Sequence, residues 1–137
     1  MSDATIAVDF DGVIHDYDKG WHDGSIYGDF KSGAMETLLW LLDSSPYAVM
    51  VHTTRSPRQV ARWIDQQSGH HIECVTWLPP WRKFWNTRGL LLVTRRKLPA
   101  VAYIDDRAVR FESWRQVSAD MTALGYRFPK ALGGQHE

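Results

Sequence analysis

The stretch Thr5-Ile6-Ala7-Val8-Asp9-Phe10-Asp11-Gly12-Val13-Ile14 decides how the rest of the chain is read. Thr5 to Val8 is a short β-prone run that ends at Asp9, and Gly12 marks a sharp turn just behind it. Such a run, bounded by turn signals, predicts a buried strand. Two carboxylates, two residues apart, then straddle the strand end. One member of such a pair can attack phosphorus as a nucleophile, and the other can protonate the leaving oxygen and later activate water. Repulsion between the pair and a phosphate demands a cation. Mg²⁺ prefers carboxylates, phosphate oxygens and retained waters, so it is the natural counterion. Asp-x-Asp-Gly also occurs in turns and in Ca²⁺ loops, but no series of oxygen ligands follows Gly12 and no Glu closes such a loop.

Outward from this stretch, strand-like and helix-like segments alternate. Residues 13–31 carry no helical period and read as an irregular, flap-like excursion. Ser32 is expected to cap a helix running to about Ser44, with Met35, Leu38, Leu39 and Leu42 on one face. Tyr47 to His52 reads as a second strand, ending at Thr53. Ser56-Pro57 then looks like an N-cap followed by Pro at the first helical position. Val60, Ala61 and Ile64 give that helix an inward face, and Gly69 can end it. Ile72 to Trp77 and Leu90 to Thr94 are further strand candidates. Ala100 to Ile104 is the clearest late strand and ends at Asp105-Asp106. Ser113 is expected to cap a last helix with Trp114, Val117, Met121 and Leu124 on one face. Residues 130–137 read as a flexible tail.

This alternation predicts an α/β fold, a single Rossmann-like domain over 1–137 with a mostly parallel sheet flanked by helices. Ligands of such sheets bind beyond the carboxyl ends of the strands. Three strands end in reactive groups: Asp9 with Asp11, Thr53 with Arg55, and Asp105 with Asp106. If those strands lie side by side, the groups converge. Asp105 and Asp106 would then add metal ligands. Thr53 would hydrogen-bond phosphoryl oxygens and Lys97 would neutralise charge, the electrostatic roles on which phosphoryl transfer depends. Arg95, Arg96 and Lys83 compete with Lys97 for that role. Arg55 and Arg107 read either as phosphate contacts or as rim salt bridges.

Composition bounds the rest. In 137 residues, 16 basic and 16 acidic side chains cancel, so no global field draws in nucleic acid or an anionic membrane. Cys74 is the only cysteine, which excludes an internal disulfide and a Cys/His zinc set; it is expected to act as a small buried hydrophobe. His15, His22, His52, His70, His71 and His136 show no ligand spacing. No apolar stretch reaches the roughly 20 residues of a membrane span. The expectation is a cytoplasmic protein with no membrane association and no obligate protein partner.

With these motifs placed, the chain resembles the haloacid dehalogenase-like (HAD) hydrolase superfamily. The apolar strand with Asp-x-Asp-Gly is matched by Ile6 to Ile14, and the strand ending in Thr by Val49 to Thr53. The Lys ahead of the last motif is matched by Lys97, and the acidic pair after a strand by Ala102 to Asp106. The resemblance implies Asp9 as nucleophile, Asp11 as general acid/base, and Mg²⁺ bound by Asp9, the backbone carbonyl of Asp11 and the pair Asp105-Asp106. An Asp at position 11 favours phosphate esters over dehalogenation. Thr53-Thr54-Arg55 and Asp105-Asp106-Arg107 look like the phosphatase domain of polynucleotide kinase-phosphatases, and the Asp-Asp pair is similar to that of 5′(3′)-deoxyribonucleotidases. On that likeness Thr54, Arg55 and Arg107 are candidate substrate-binding residues.

The interval from Asp9 to Thr53 is too short for a large cap, so the expected cap is minimal or absent. Residues 77–96 are the candidate for a small lid. There Trp77, Trp81, Arg82, Lys83, Phe84 and Trp85 interleave aromatic and cationic groups that can stack bases and hold a backbone; Trp residues also pack in cores. Together these readings lead to a Mg²⁺-dependent phosphohydrolase working through an aspartyl-phosphate. Its expected substrate is a phosphorylated small molecule or a nucleic-acid end, with Arg82 and Lys83 contacting it. A non-catalytic module of the same fold, a phosphotransferase and a sugar-phosphate phosphatase are the alternatives.

Overall fold

A computed structural model describes residues 4–17 and 24–129. The expected tail at 130–137 and the middle of the 13–31 excursion lie outside the described residues. Two compact units make up the chain, Met1–Asp106 and Arg107–Glu137.

The first unit is built on one sheet of five parallel strands in the order β3-β4-β2-β1-β5. The strands are β1 (Thr5–Asp9), β2 (Ala48–His52), β3 (Cys74–Val75), β4 (Leu91–Thr94) and β5 (Ala102–Ile104). Between them run the helices α1 (Ala34–Asp43) and α2 (Pro57–Gln67). The expected α/β architecture with a parallel sheet is what the chain adopts.

Alternation along the strands divides the core in two. Val8, Val49, Val51, Leu91 and Val93 point to one face, where Leu38, Leu41 and Leu42 of α1 and Val60, Trp63 and Ile64 of α2 cover them. Ala7, Ala48, Met50 and Leu92 point to the other face, where no helix of this unit packs among the described residues. Trp85 and Leu98, from the connections around β4, close that side, and the Thr5 hydroxyl donates to the Trp85 carbonyl at 2.6 Å. Burying each such large apolar side chain contributes roughly 1.5–3 kcal/mol. Both faces of β1, β2 and β4 are thus covered, which explains their nearly unbroken apolar sequences.

Several boundaries differ from expectation. Ser56 caps α2 as expected, its hydroxyl accepting from the Gln59 amide, with Pro57 at the first position. Ser32 does not cap α1. The cap is Gly33, at φ +84°, because the Lys31 amide is held by the Ile14 carbonyl (2.7 Å) and the chain must reverse at once into the helix. The strand expected over 72–77 narrows to Cys74–Val75, at the sheet edge. Cys74 is half-buried against the helix-side core. Burial there, with Asp65 and Glu73 nearby, pushes its thiol up to about 12. The strand expected over 90–94 forms as Leu91–Thr94 and is fully buried, so only the stretch ahead of it is left of the candidate lid at 77–96.

In the second unit, α3 (Trp114–Ala123) begins with a reciprocal capping box. Ser113 Oγ accepts from the Gln116 amide, and the Gln116 side chain accepts from the Ser113 amide. Its expected apolar face is not buried: Trp114 and Leu124 are exposed, and Ser118 is the helix's buried residue. A segment this short cannot enclose an apolar face by itself.

Candidate active site at the carboxyl edge

All five strands run the same way, so their carboxyl ends share one edge. The chain steps from β1 outward through β2 and later returns to pair β5 on the opposite side of β1. That reversal opens a crevice beyond the ends of β1 and β5, the usual ligand position in open α/β sheets.

Asp9 is the last residue of β1, and Asp105 and Asp106 follow β5. One carboxylate oxygen from each lies within 4.8 Å of the others. Asp9 is half-buried, whereas Asp105 and Asp106 are exposed. The Asp9 carboxyl is pushed up to about 6 from 3.8. Burial is the main cause, then the negative charges of Asp105, Asp106 and Asp11, opposed by a backbone hydrogen bond at Phe10. Gly12 makes this approach feasible. It sits at φ +87°, and a Cβ there would run into the Asp106 carboxylate.

Such a cluster fits a cation. Three carboxylate oxygens and no His or Cys match a hard ion such as Mg²⁺ rather than Zn²⁺. A bound divalent charge would offset the repulsion that Asp105, Asp106 and Asp11 add to burial at Asp9.

Asp11 stands in a different environment two residues on. Its Oδ2 accepts from Arg55 Nε at 2.8 Å, and its Oδ1 lies 2.9 Å from His15 Nδ1. Arg55 is 3% exposed and His15 is fully buried. Arg55 also donates through Nη1 to the Gly24 carbonyl (2.7 Å), and its guanidinium lies 5.8 Å from the centre of the Tyr17 ring. His15 Nε2 donates to the Tyr27 carbonyl. A carbonyl only accepts, so Nε2 carries a hydrogen, and Nδ1 is the ring nitrogen that meets the Asp11 carboxyl.

Two Thr-x-Arg turns stand side by side at the ends of β2 and β4. Thr53 Oγ1 accepts from the Arg55 amide (3.0 Å), and Thr94 Oγ1 accepts from the Arg96 amide (3.0 Å). The Thr53 amide donates to the Thr94 carbonyl at 3.0 Å, which locks the two together. Each turn aims an arginine at a loop. Arg55 holds the Gly24 carbonyl, and Arg96 donates to the carbonyls of Pro79 and Arg82.

The remaining expected site residues are placed as follows. Thr53 is buried at the edge beside Arg55, while Thr54 is exposed. Lys97 is exposed, with its ammonium 5.5 Å from the centre of the Tyr103 ring, and among the described residues it makes no ion pair with the four aspartates. Arg82 lies over Phe84 (4.9 Å) and bonds Asn86 Oδ1 (2.7 Å), while Lys83 is exposed. Arg107 opens the second unit. His15 was not among the sequence candidates, and Arg96 was considered only as a rival of Lys97, not as an anchor of the loop after β3. The available signal for His15 was its place four residues after Asp11, and for Arg96 the repeat of Thr53-Thr54-Arg55 in Thr94-Arg95-Arg96.

Comparisons with protein families, with curated proteins and with solved structures find no match for this chain. No helix among the described residues is long and apolar enough to cross a membrane.

Proposed function

We propose that the protein is a Mg²⁺-dependent phosphohydrolase of the HAD type, acting on phosphomonoesters through an aspartyl-phosphate on Asp9. The observation that carries this reading is the pairing of two unlike carboxylates on one turn. Asp9 faces Asp105 and Asp106, whereas Asp11 is held by Arg55 and His15.

In the proposed reaction an Asp9 oxygen attacks phosphorus as the bond to the leaving oxygen breaks. Asp11 gives that oxygen its proton. Water then attacks the aspartyl-phosphate, returns a proton to Asp11, and frees Asp9 and inorganic phosphate. Asp9, Asp105 and Asp106, with the Asp11 carbonyl, would hold a Mg²⁺, which would supply the positive charge that lets a phosphate approach. The Thr53 hydroxyl already accepts from the Arg55 amide, so its hydrogen can go to a phosphoryl oxygen. Lys97, with its ammonium 5.5 Å from the centre of the Tyr103 ring, is the candidate cation for the same group.

For the substrate, a nucleotide or nucleic-acid end is favoured over a sugar phosphate by the loop after β3. Trp77 and Trp81 are 69% and 77% exposed there, although Arg96 ties the loop carbonyls down. Exposed indoles on an anchored loop suit base stacking.

The test is hydrolysis of p-nitrophenyl phosphate with Mg²⁺ and with EDTA, combined with mass spectrometry of acid-quenched protein. Metal-dependent turnover and a phosphoryl adduct on Asp9 are expected. A protein that binds phosphate esters without turning them over would instead be a non-catalytic module of this fold.

A further inference from the structure

Asp11 lies at the meeting point of two bridges built to the same plan. Arg55 joins Asp11 Oδ2 to the Gly24 carbonyl, and His15 joins Asp11 Oδ1 to the Tyr27 carbonyl. Each side chain therefore ties one oxygen of Asp11 to one backbone carbonyl of the segment 24–27. That segment is also fixed to the turn after β1, through an antiparallel bridge between His15 and Phe30 and through the Lys31 amide on the Ile14 carbonyl.

The imidazole cannot turn away from this task. Its ring stacks on Phe10 with centroids 5.3 Å apart and planes 9° from parallel, and the edges of Trp63 and Tyr27 close the sides at 5.4 and 5.1 Å. A buried imidazole must satisfy both ring nitrogens, but a backbone group or a water on Nδ1 would do that as well as a carboxyl. Here both ring nitrogens are engaged, and one of them meets a carboxyl that keeps 20% of its side-chain surface open. Two oxygens held from two sides leave that carboxyl a single orientation, yet each oxygen retains a lone pair for a transferable proton.

We infer that His15, together with Arg55, is a positioning residue that clamps the carboxyl of Asp11 for proton transfer and couples its place to the segment 24–27. This rests on the reading of Asp11 as the acid that protonates the leaving group. Misplacing a catalytic group by about 1 Å can cost about 10²-fold in rate.

Two measurements test it. The first compares kcat/KM for an alkyl phosphate, whose leaving oxygen needs a proton, with that for p-nitrophenyl phosphate, whose leaving group does not. The ratio kcat/KM stops at leaving-group departure, so the later attack of water does not enter. His15→Phe keeps an aromatic ring in the stack and removes both hydrogen bonds. It should lower the alkyl value about 10²-fold and the aryl value by only a few fold. His15→Asn, which can still reach Asp11 from the Nδ1 position, should recover part of the alkyl loss. Equal losses on both substrates, or no rescue by Asn, would overturn the positioning role.

The second measurement needs no activity. Unfolding of wild type, His15→Phe, Asp11→Asn and the double variant forms a cycle. The two substitutions should be non-additive by roughly 10-fold in the unfolding constant. Additivity would show that no clamp exists. If Asp9→Asn turned over substrate as fast as wild type, the phosphohydrolase reading would fall and the catalytic role of the clamp with it, while the cycle would still decide whether the clamp holds Asp11.

Discussion

Asp9 and Asp11 leave the same strand end two residues apart and live in opposite electrostatic surroundings. Asp9 is partly buried against Asp105 and Asp106, and its carboxyl is raised to about 6. Asp11 is partly open and lies between a guanidinium and an imidazole. The first arrangement is unfavourable without a cation. The second is complete without one. Pairs of carboxylates whose environments differ in this way take different chemical roles, and the contrast between the two residues can be broken by experiment.

Turnover should show the largest effects. Asp9→Asn is expected to abolish hydrolysis and weaken Mg²⁺ binding, because the amide is a poor nucleophile and a poor ligand. Asp11→Asn should cut kcat by about 10²- to 10⁴-fold through lost proton transfer while leaving Mg²⁺ affinity nearly intact. Steady-state kinetics with calorimetric Mg²⁺ titration separates the two; equal losses of metal affinity would erase the contrast.

Stability should move in opposite directions. At neutral pH without metal, Asp9→Asn should raise the urea midpoint, since it removes one of three crowded carboxylates. Asp11→Asn should lower stability by about 1–3 kcal/mol, since an amide cannot serve both buried Arg55 and buried His15 as the two carboxyl oxygens do. Two shifts of the same sign would show that the surroundings differ less than the distances indicate.

Gly12→Ala sharpens the metal side of the comparison. A left-handed φ costs an L-residue roughly 1–2 kcal/mol, and the added methyl would displace the Asp106 carboxylate. Thermal unfolding should register the strain, and Mg²⁺ affinity should drop. Unchanged Mg²⁺ affinity would remove Asp106 from the metal site.

The smallest effect is on pH dependence. Asp9 titrates at about 6 in the native protein and near 3.8 in the unfolded chain. Between these values the native state holds a proton that the unfolded state has released. Metal-free stability from this group therefore falls as pH rises from about 4 to about 6 and is level above that. Urea unfolding across this range should show that slope in wild type and lose it in Asp9→Asn and at saturating Mg²⁺. A slope unaffected by Asp9→Asn would assign it to another group.

Much of this was legible in the sequence because it rests on local rules. An apolar run ending at Asp9, a proline after Ser56 and Ser113 ahead of α3 need only nearby residues, and each marked an element. Expectations failed where distant chain intervened. The tie from Lys31 to Ile14 replaced Ser32 by Gly33 at the start of α1, and the strand expected over 72–77 shrank to Cys74–Val75, which pairs with β4 alone at the sheet edge.

The sequence alone determined the chemistry on offer: four aspartates, a strand-end threonine and their arginines, at spacings a parallel sheet would turn to one edge. Tertiary structure decided how the carboxylates divide. Only strand order brings Asp105 and Asp106 beside Asp9, and only the return of residues 24–30 onto the turn after β1 places the Gly24 and Tyr27 carbonyls where Arg55 and His15 can bridge them to Asp11. Charge separation over a few ångströms depends on which distant segments meet, and spacing along the chain carries no record of that.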